Sequence, residues 1–143
     1  MEPEQHTIAV AIVTNDNKEV LLAKRYEPES PHSHGKWEFL GGGVNFGETP
    51  EQAAVREAKE EGGIDVKVIR LLPEVASNIW EFPDGRKQQI LLISYECKII
   101  SGAPRADKNN NTSELKFCKL DDIKKLETLP KVYEMAAMAL TNY

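Results

Sequence analysis

Residues 35–64 read GKWEFLGGGVNFGETPEQAAVREAKEEGGI, and the second half of this stretch decides how the rest of the chain must be arranged. Thr49, then Pro50, with Gln52 three residues after Thr49, is the signature of a helix start. The hydroxyl and the amide each accept from a free backbone N–H, and proline fits the first turn. The spacing predicts a helix that begins at Thr49 or Pro50, runs through Ala53, Ala54, Val55, Ala58 and Lys59, and stops at Gly62-Gly63 after about three turns. Glu57, Glu60 and Glu61 then stand at i, i+3 and i+4, with their carboxylates on one helix face. Like charges at that spacing cost an isolated helix roughly 0.2–0.5 kcal/mol per pair, and the last turn is the wrong end of the macrodipole for anions. Arg56 and Lys59 offset part of this. A hard divalent cation, magnesium or manganese, would offset more, because oxygen-only ligands suit it. Taken alone, an E-x-x-E-E run is more often a solvated acidic face.

The upstream spacing changes that balance. Gly42, five residues, Glu48, seven residues, then Arg56-Glu57-Ala58-Lys59-Glu60-Glu61-Gly62-Gly63-Ile64 resembles the Nudix box, G-x5-E-x7-R-E-U-x-E-E-x-G-U, with U aliphatic. Every fixed position agrees, and Ala58 is a small choice for the first U. At average residue usage, chance agreement at seven fixed positions in a chain this long is below about one in a million. The flank, GKWEF followed by glycines and Phe46-Gly47-Glu48-Thr49, is similar to the MutT-like branch of the Nudix hydrolases. Three positions depart from that branch: Leu40 replaces a frequent proline, Gly43 a frequent lysine and Asn45 a frequent acid. These bear on the loop and its charge, hence on substrate, more than on metal binding.

At 143 residues the chain has the length of one domain, 1–143, able to bury a core without staples. Its 41% hydrophobic and 29% charged residues have a soluble, globular balance. The net charge of -5 argues against a protein built to hold long nucleic acid along a basic face. A small nucleotide is compatible with it, held by a metal and a few local cations. The acidic start, MEPEQHTIAV, is not a positively charged leader, and no apolar run reaches membrane-span length, so a cytoplasmic location is expected. Cys97 and Cys118 lie in apolar contexts without a CxxC or paired histidines, and read as reduced core thiols.

In chain order, Thr7 to Val13 is an apolar strand, and Asn15-Asp16-Asn17-Lys18 is turn chemistry leading to Val20–Lys24, together an expected hairpin. A loop from Tyr26 to Gly35 follows; its His32 and His34 read as surface residues rather than a zinc pair. Trp37 to Leu40 is a short strand delivering the glycines, which read as a loop where backbone approaches an ion or phosphate. Ile64–Leu72, Val75–Phe82 and Lys87–Ile100 are strands, the last central, with Pro83-Asp84-Gly85-Arg86 as a hairpin turn. Trp80 and Phe82 alternate on one face and read as core or rim aromatics more than as a base-stacking platform, and either could border a nucleoside pocket. Ser101 to Ser113 has the composition of a mobile loop. A short strand at Phe117–Leu120, a short helix from Asp121 and a final helix from Pro130 to Leu140, with an apolar stripe, complete the chain.

The resemblance implies an α/β Nudix fold, a curved mixed β-sheet sandwiched between helices in an α/β/α arrangement. It implies that a backbone carbonyl, carried here to Gly41, joins Glu57, Glu60 and Glu61 on the metal, and that Glu48 and Arg56 pair to tie loop to helix. Arg25 corresponds to a basic residue facing the substrate phosphates. The general base in the family is a helix glutamate, here Glu60 or Glu57, or a loop glutamate, here Glu114. The family cleaves nucleoside diphosphates linked to another group X. The MutT-like flank favours a nucleoside triphosphate cut to monophosphate and pyrophosphate, as in removal of damaged nucleotides. ADP-ribose or a nucleotide sugar is the alternative substrate. A non-catalytic Nudix-like sensor is the alternative of another class, and the full set of box carboxylates weighs against it. Homodimers are common in the family, although no residue here marks an interface.

Overall fold

Strand β1, Glu4–Val13, and strand β2, Glu19–Arg25, carry the architecture because both are buried on two faces. Alternate residues point to opposite sides of a strand. Val10, Ile12, Val20 and Leu22 therefore enter one core, whereas Ala9, Ala11, Val13, Leu21 and Ala23 enter another. The structure, a computed structural model, describes residues 2–141.

The remaining elements are β3 (Trp37–Glu38), β4 (Leu40–Gly43), α1 (Pro50–Gly62), β5 (Asp65–Leu71), β6 (Ala76–Glu81), β7 (Lys87–Ser101), β8 (Thr112–Lys119), α2 (Leu120–Ile123) and α3 (Val132–Ala139). One mixed sheet runs β4-β1-β7-β5, with β6 also paired to β7, and a second sheet runs β3-β2-β8. Helix α1 covers the core lined by Ala9, Ala11 and Val13, and α2 and α3 cover the other. The α/β/α layering expected from the box is present, with two sheets forming its middle.

Helix α1 begins and ends as its caps dictate. Thr49 Oγ1 accepts from Gln52 N at 3.1 Å and Gln52 Oε1 accepts from Thr49 N at 2.9 Å, the reciprocal capping pair. Such a cap is worth about 1 kcal/mol. Gly63, at φ 67°, closes the helix by donating to Lys59 O. Ala53, Ala54 and Ala58 are fully buried against Ala9 and Ala11. Small residues on both partners bring the helix backbone close to the sheet, and that closeness sets the position of the carboxylates.

Four expectations are corrected. Strands β1 and β2 do not form a hairpin: they share one bridge, Thr14 with Val20, and then separate into different sheets. The reason is that each has two apolar faces, and β1 satisfies its backbone by pairing in parallel with β7 from Glu4 to Val13. The glycines are not a loop, since Gly41–Gly43 belong to β4 and pair with Val10, Ala9 and Ile8. The segment from Ser101 to Ser113 is not an unanchored loop. Arg105 N donates to Gly62 O at 2.9 Å, Asn110 Nδ2 to Glu60 O at 2.8 Å, and a 3-10 turn occupies Lys108–Asn110. Its polar composition supplies partners for the end of α1. Finally, β8 starts at Thr112, earlier than Phe117, because it pairs along all of β2.

Candidate active site

Strand β4 is an edge strand, and its hydrogen-bond alternation creates the first half of the site. Val44 N donates to Thr7 O. In an antiparallel ladder the two groups of one residue point the same way, and direction alternates with each residue. Gly41 and Gly43 therefore turn their N–H and C=O groups outward, toward α1. There Gly41 N donates to Glu61 Oε1 at 2.9 Å, and Gly43 O accepts from Arg56 Nη2 at 3.0 Å. The helix is bonded to the open edge of the strand through its functional side chains.

Arg56 is the hub of the second half. Its guanidinium donates to both oxygens of Glu48, at 2.8 and 3.0 Å, and through Nη1 to Glu57 Oε1 at 2.8 Å and Glu60 Oε2 at 3.1 Å. The pairing of Glu48 with Arg56 expected from the box is present as a bidentate contact. Hydrogen bonds from Arg56 and from Asn45 N hold the Glu48 carboxyl below its ordinary range. Glu48 in turn keeps Arg56 firmly protonated.

The carboxylates divide between two environments. Glu57 and Glu61 line a cavity of about 590 Å³ together with Gly41 and Gly42. Glu60 is turned to the rim, half-exposed, in its contact with Arg56. Among the described residues no three acids, histidines or cysteines converge on one point. Burial pushes Glu61 up to about 8; the Gly41 N–H opposes this and the neighbouring charge of Glu57 adds to it.

The donor chemistry, without a converged cluster of three acids among the described residues, fits a divalent cation. The donors are carboxylate oxygens and the outward carbonyl of Gly41, a hard oxygen set of the kind magnesium and manganese take. Positive charge already bridges Glu57 and Glu60, in the form of Arg56 Nη1. Glu61 is largely withdrawn from solvent, with one hydrogen bond, from Gly41 N, and the charge of Arg25 to favour its anion, so a cation would relieve it. The space is also shaped for this, because a Cβ at Gly42 would collide with the Glu57 carboxylate. Only glycine leaves room for it.

Arg25, at the end of β2, lines the same cavity and is held by Glu27 at 2.8 Å and Glu38 at 2.9 Å. Burial works against its charge, but the two carboxylates outweigh burial and raise its pKa. Glu38 is raised by burial, with Arg25 opposing. Neither Glu38 nor Glu27 was legible as a site residue in the sequence. The signal available was alternation on β3, with Trp37 and Phe39 entering the core and Glu38 therefore facing away from it.

Trp80 and Phe82 line the opposite wall, joined by Asn78 and Gln88. His32 reaches that wall too, its ring 5.2 Å from that of Trp80. His34 instead accepts from Glu27 N through Nδ1, so the two histidines do not act as a pair. Glu114 lies on the exposed side of β8 opposite Lys24 and does not line the cavity. Cys97 and Cys118 are buried free thiols.

A two-layered sheet core with a carboxylate-bearing helix bonded to a glycine edge strand defines the Nudix hydrolase class. The NUDIX domain family model matches residues 4–137, and the chain belongs to that family. It is 42% identical over 84 residues to the 8-oxo-dGTP diphosphatase of Proteus vulgaris, covering 59% of this chain and 70% of that one. It is 43% identical over 77 residues to the 8-oxo-dGTP diphosphatase of Escherichia coli strain K12, covering 54% of this chain and 56% of that protein. The similarity thus spans just over half to about two thirds of these relatives. Among solved structures, the MutT protein of Methanosarcina mazei Go1 superposes with a TM-score of 0.72 at 23% identity, over 96% of both chains. No helix among the described residues is long and apolar enough to cross a membrane.

Proposed function

We propose that the protein hydrolyses a nucleoside triphosphate to the nucleoside monophosphate and pyrophosphate, removing damaged or unwanted nucleotides. One observation carries this reading. A single cavity is lined by the carboxyl groups of Glu57 and Glu61 and the guanidinium of Arg25, and also by the uncharged aromatic and amide groups of Trp80, Phe82 and Asn78, which lie across β1 and β7 from the glycines of β4. A nucleotide has two matching parts, with phosphates at one end and a flat base at the other. The similarity to 8-oxo-dGTP diphosphatases supports a triphosphate over a nucleotide sugar.

Glu57, Glu61 and the Gly41 carbonyl, with Glu60 turned inward, would hold magnesium or manganese. Such an ion, when bound, lowers the pKa of water and neutralises phosphate charge. The residues of the chain supply the rest. Arg56, locked by Glu48, fixes where Glu57 points. Arg25 presents a permanent cation to the phosphate chain, its position set by Glu38. Glu60 and Glu57 are the groups able to take a proton from attacking water, Glu60 because it is the least buried of the three. Phe39 and Leu92 add apolar wall to the cavity, which lowers the local dielectric and strengthens each of these charges.

The test is a screen for pyrophosphate and phosphate release with magnesium across nucleoside triphosphates, oxidised triphosphates, ADP-ribose, nucleotide sugars and dinucleoside polyphosphates. Pyrophosphate from a triphosphate is the expected product. Faster cleavage of ADP-ribose or a sugar nucleotide would reassign the substrate, and absence of turnover with any of them would favour a sensor.

A further inference from the structure

The cavity wall facing the carboxylates is the β6–β7 hairpin, and the pleat decides what that wall presents. Residues two apart share a face. Asn78 and Trp80 of β6 and Gln88 and Ile90 of β7 all line the cavity, with Asn78 opposite Ile90 and Trp80 opposite Gln88. The four form a square with the two amides on a diagonal, roughly 7 Å apart.

The amides on the two faces of this hairpin behave differently. On the outer face, Gln89 is hydrogen-bonded on both sides: its Nε2 donates to Ser77 Oγ at 3.0 Å, and its Oε1 accepts from Gln5 Nε2 at 2.8 Å. On the cavity face, Asn78 and Gln88 are half-buried, and neither side-chain amide has a hydrogen-bond partner among the described residues. A partly desolvated amide without a partner is costly, and a ligand that supplies both a donor and an acceptor removes the cost. Trp80 lies beside both amides, with His32 against its ring from the β2–β3 loop.

We infer that this square is a nucleobase-reading subsite, in which Trp80 gives the base a stacking face and Asn78 and Gln88 bond to its edge. The inference rests on the proposed triphosphate substrate and adds which residues choose the base. The charge pattern orients the ligand. None of the hairpin residues lining the cavity is charged, whereas Arg25 and the carboxylates line it from β2 and α1, so phosphates are favoured there and the uncharged ring here. A side-chain amide presents N–H and C=O side by side, which matches the adjacent donor and acceptor that nucleobase edges carry. Two amides on a diagonal contact a base at two points and so distinguish one base from another.

The experiment compares kcat/KM for the four common ribonucleoside triphosphates in the wild type, Asn78→Leu and Gln88→Leu, with folding checked by circular dichroism and thermal melts. The wild type is expected to rank the bases, and each variant to lower kcat/KM for the preferred base by roughly 10- to 100-fold, mainly through KM, compressing the ranking. Asn78→Asp and Gln88→Glu, which keep the size but remove a donor, are expected to reorder the ranking even if the leucine variants fold poorly. Folded variants that keep the wild-type ranking would overturn the inference. If the wild type cleaves no triphosphate, the functional reading fails but the subsite is still decided by binding. Quenching of Trp80 fluorescence by nucleoside monophosphates, but not by ribose 5-phosphate, supports it, and equal responses to both refute it.

Discussion

Gly41 donates its backbone N–H to Glu61 Oε1 across 2.9 Å, so an edge strand and the last turn of a helix are joined through a side chain of the site itself. The next glycine extends this relationship. A Cβ at Gly42 would occupy the space of the Glu57 carboxylate, whereas a Cβ at Gly41 would come within 2.5 Å of the Ala9 carbonyl oxygen. One neighbour is the far end of a flexible side chain and the other is backbone in a paired strand.

The two alanine variants should therefore fail differently. Gly42→Ala lets Glu57 swing aside, so stability should hardly change while kcat/KM falls about 100-fold, the usual consequence of displacing a working group by about 1 Å. Gly41→Ala forces backbone apart and should cost about 1–3 kcal/mol of stability. Thermal melts and steady-state kinetics on the pair check this, and a Gly42→Ala protein that melts as low as Gly41→Ala would refute the distinction.

Cation binding should register in stability. Magnesium or manganese at 100 times its dissociation constant is expected to stabilise the native state by about 2.7 kcal/mol, because Glu61 is largely withdrawn from solvent with one hydrogen bond, from Gly41 N. Glu57→Gln and Glu61→Gln should each abolish most of that gain, while Glu114→Gln should not, since Glu114 lies on the exposed side of β8. Scanning calorimetry with and without chelator measures it.

Cys97 is fully buried, and burial pushes its thiol up to about 12. Thiolate is the reactive form, so Cys97 should resist thiol reagents at pH 8 in the native protein and react fully once denatured. Rapid labelling of two thiols per chain in native buffer would contradict this.

The parts of the site that were legible in the sequence were those fixed by local spacing. The carboxylates at i, i+3 and i+4 and the Thr49–Gln52 cap depend only on helix geometry, and the Glu48–Arg56 pair on the resemblance to the box. What was hidden depended on which strand pairs with which. Gly41–Gly43 read as a loop because glycine lacks strand propensity, yet β1 had an edge to fill. Glu38, Asn78 and Gln88 became site residues only once β3 and the β6–β7 hairpin were placed around one cavity, a long-range relationship that alternation alone does not specify. Glu114 follows a stretch of loop-like composition, which is the sequence signal for a loop glutamate. That stretch is instead fastened to α1 by Arg105 and Asn110.

The pH dependence of stability should report the Glu48–Arg56 tie. Hydrogen bonds from Arg56 and Asn45 N hold the Glu48 carboxyl below its ordinary value. The unfolded chain then binds a proton more readily than the folded one as pH falls through the unfolded pKa, about 4.3 for a glutamate. Linkage gives the sign: the contribution of Glu48 is complete above that pH and is lost as pH drops through its lower folded pKa. Glu48→Gln removes the titrating group and keeps its size. Between pH 6 and pH 3 the wild type should therefore lose more stability than the variant, so that their melting temperatures converge in acid. At neutral pH the variant should also lower kcat, since Arg56 would no longer be locked where it orients Glu57. Parallel melting curves across that range would show that the tie contributes nothing to folding.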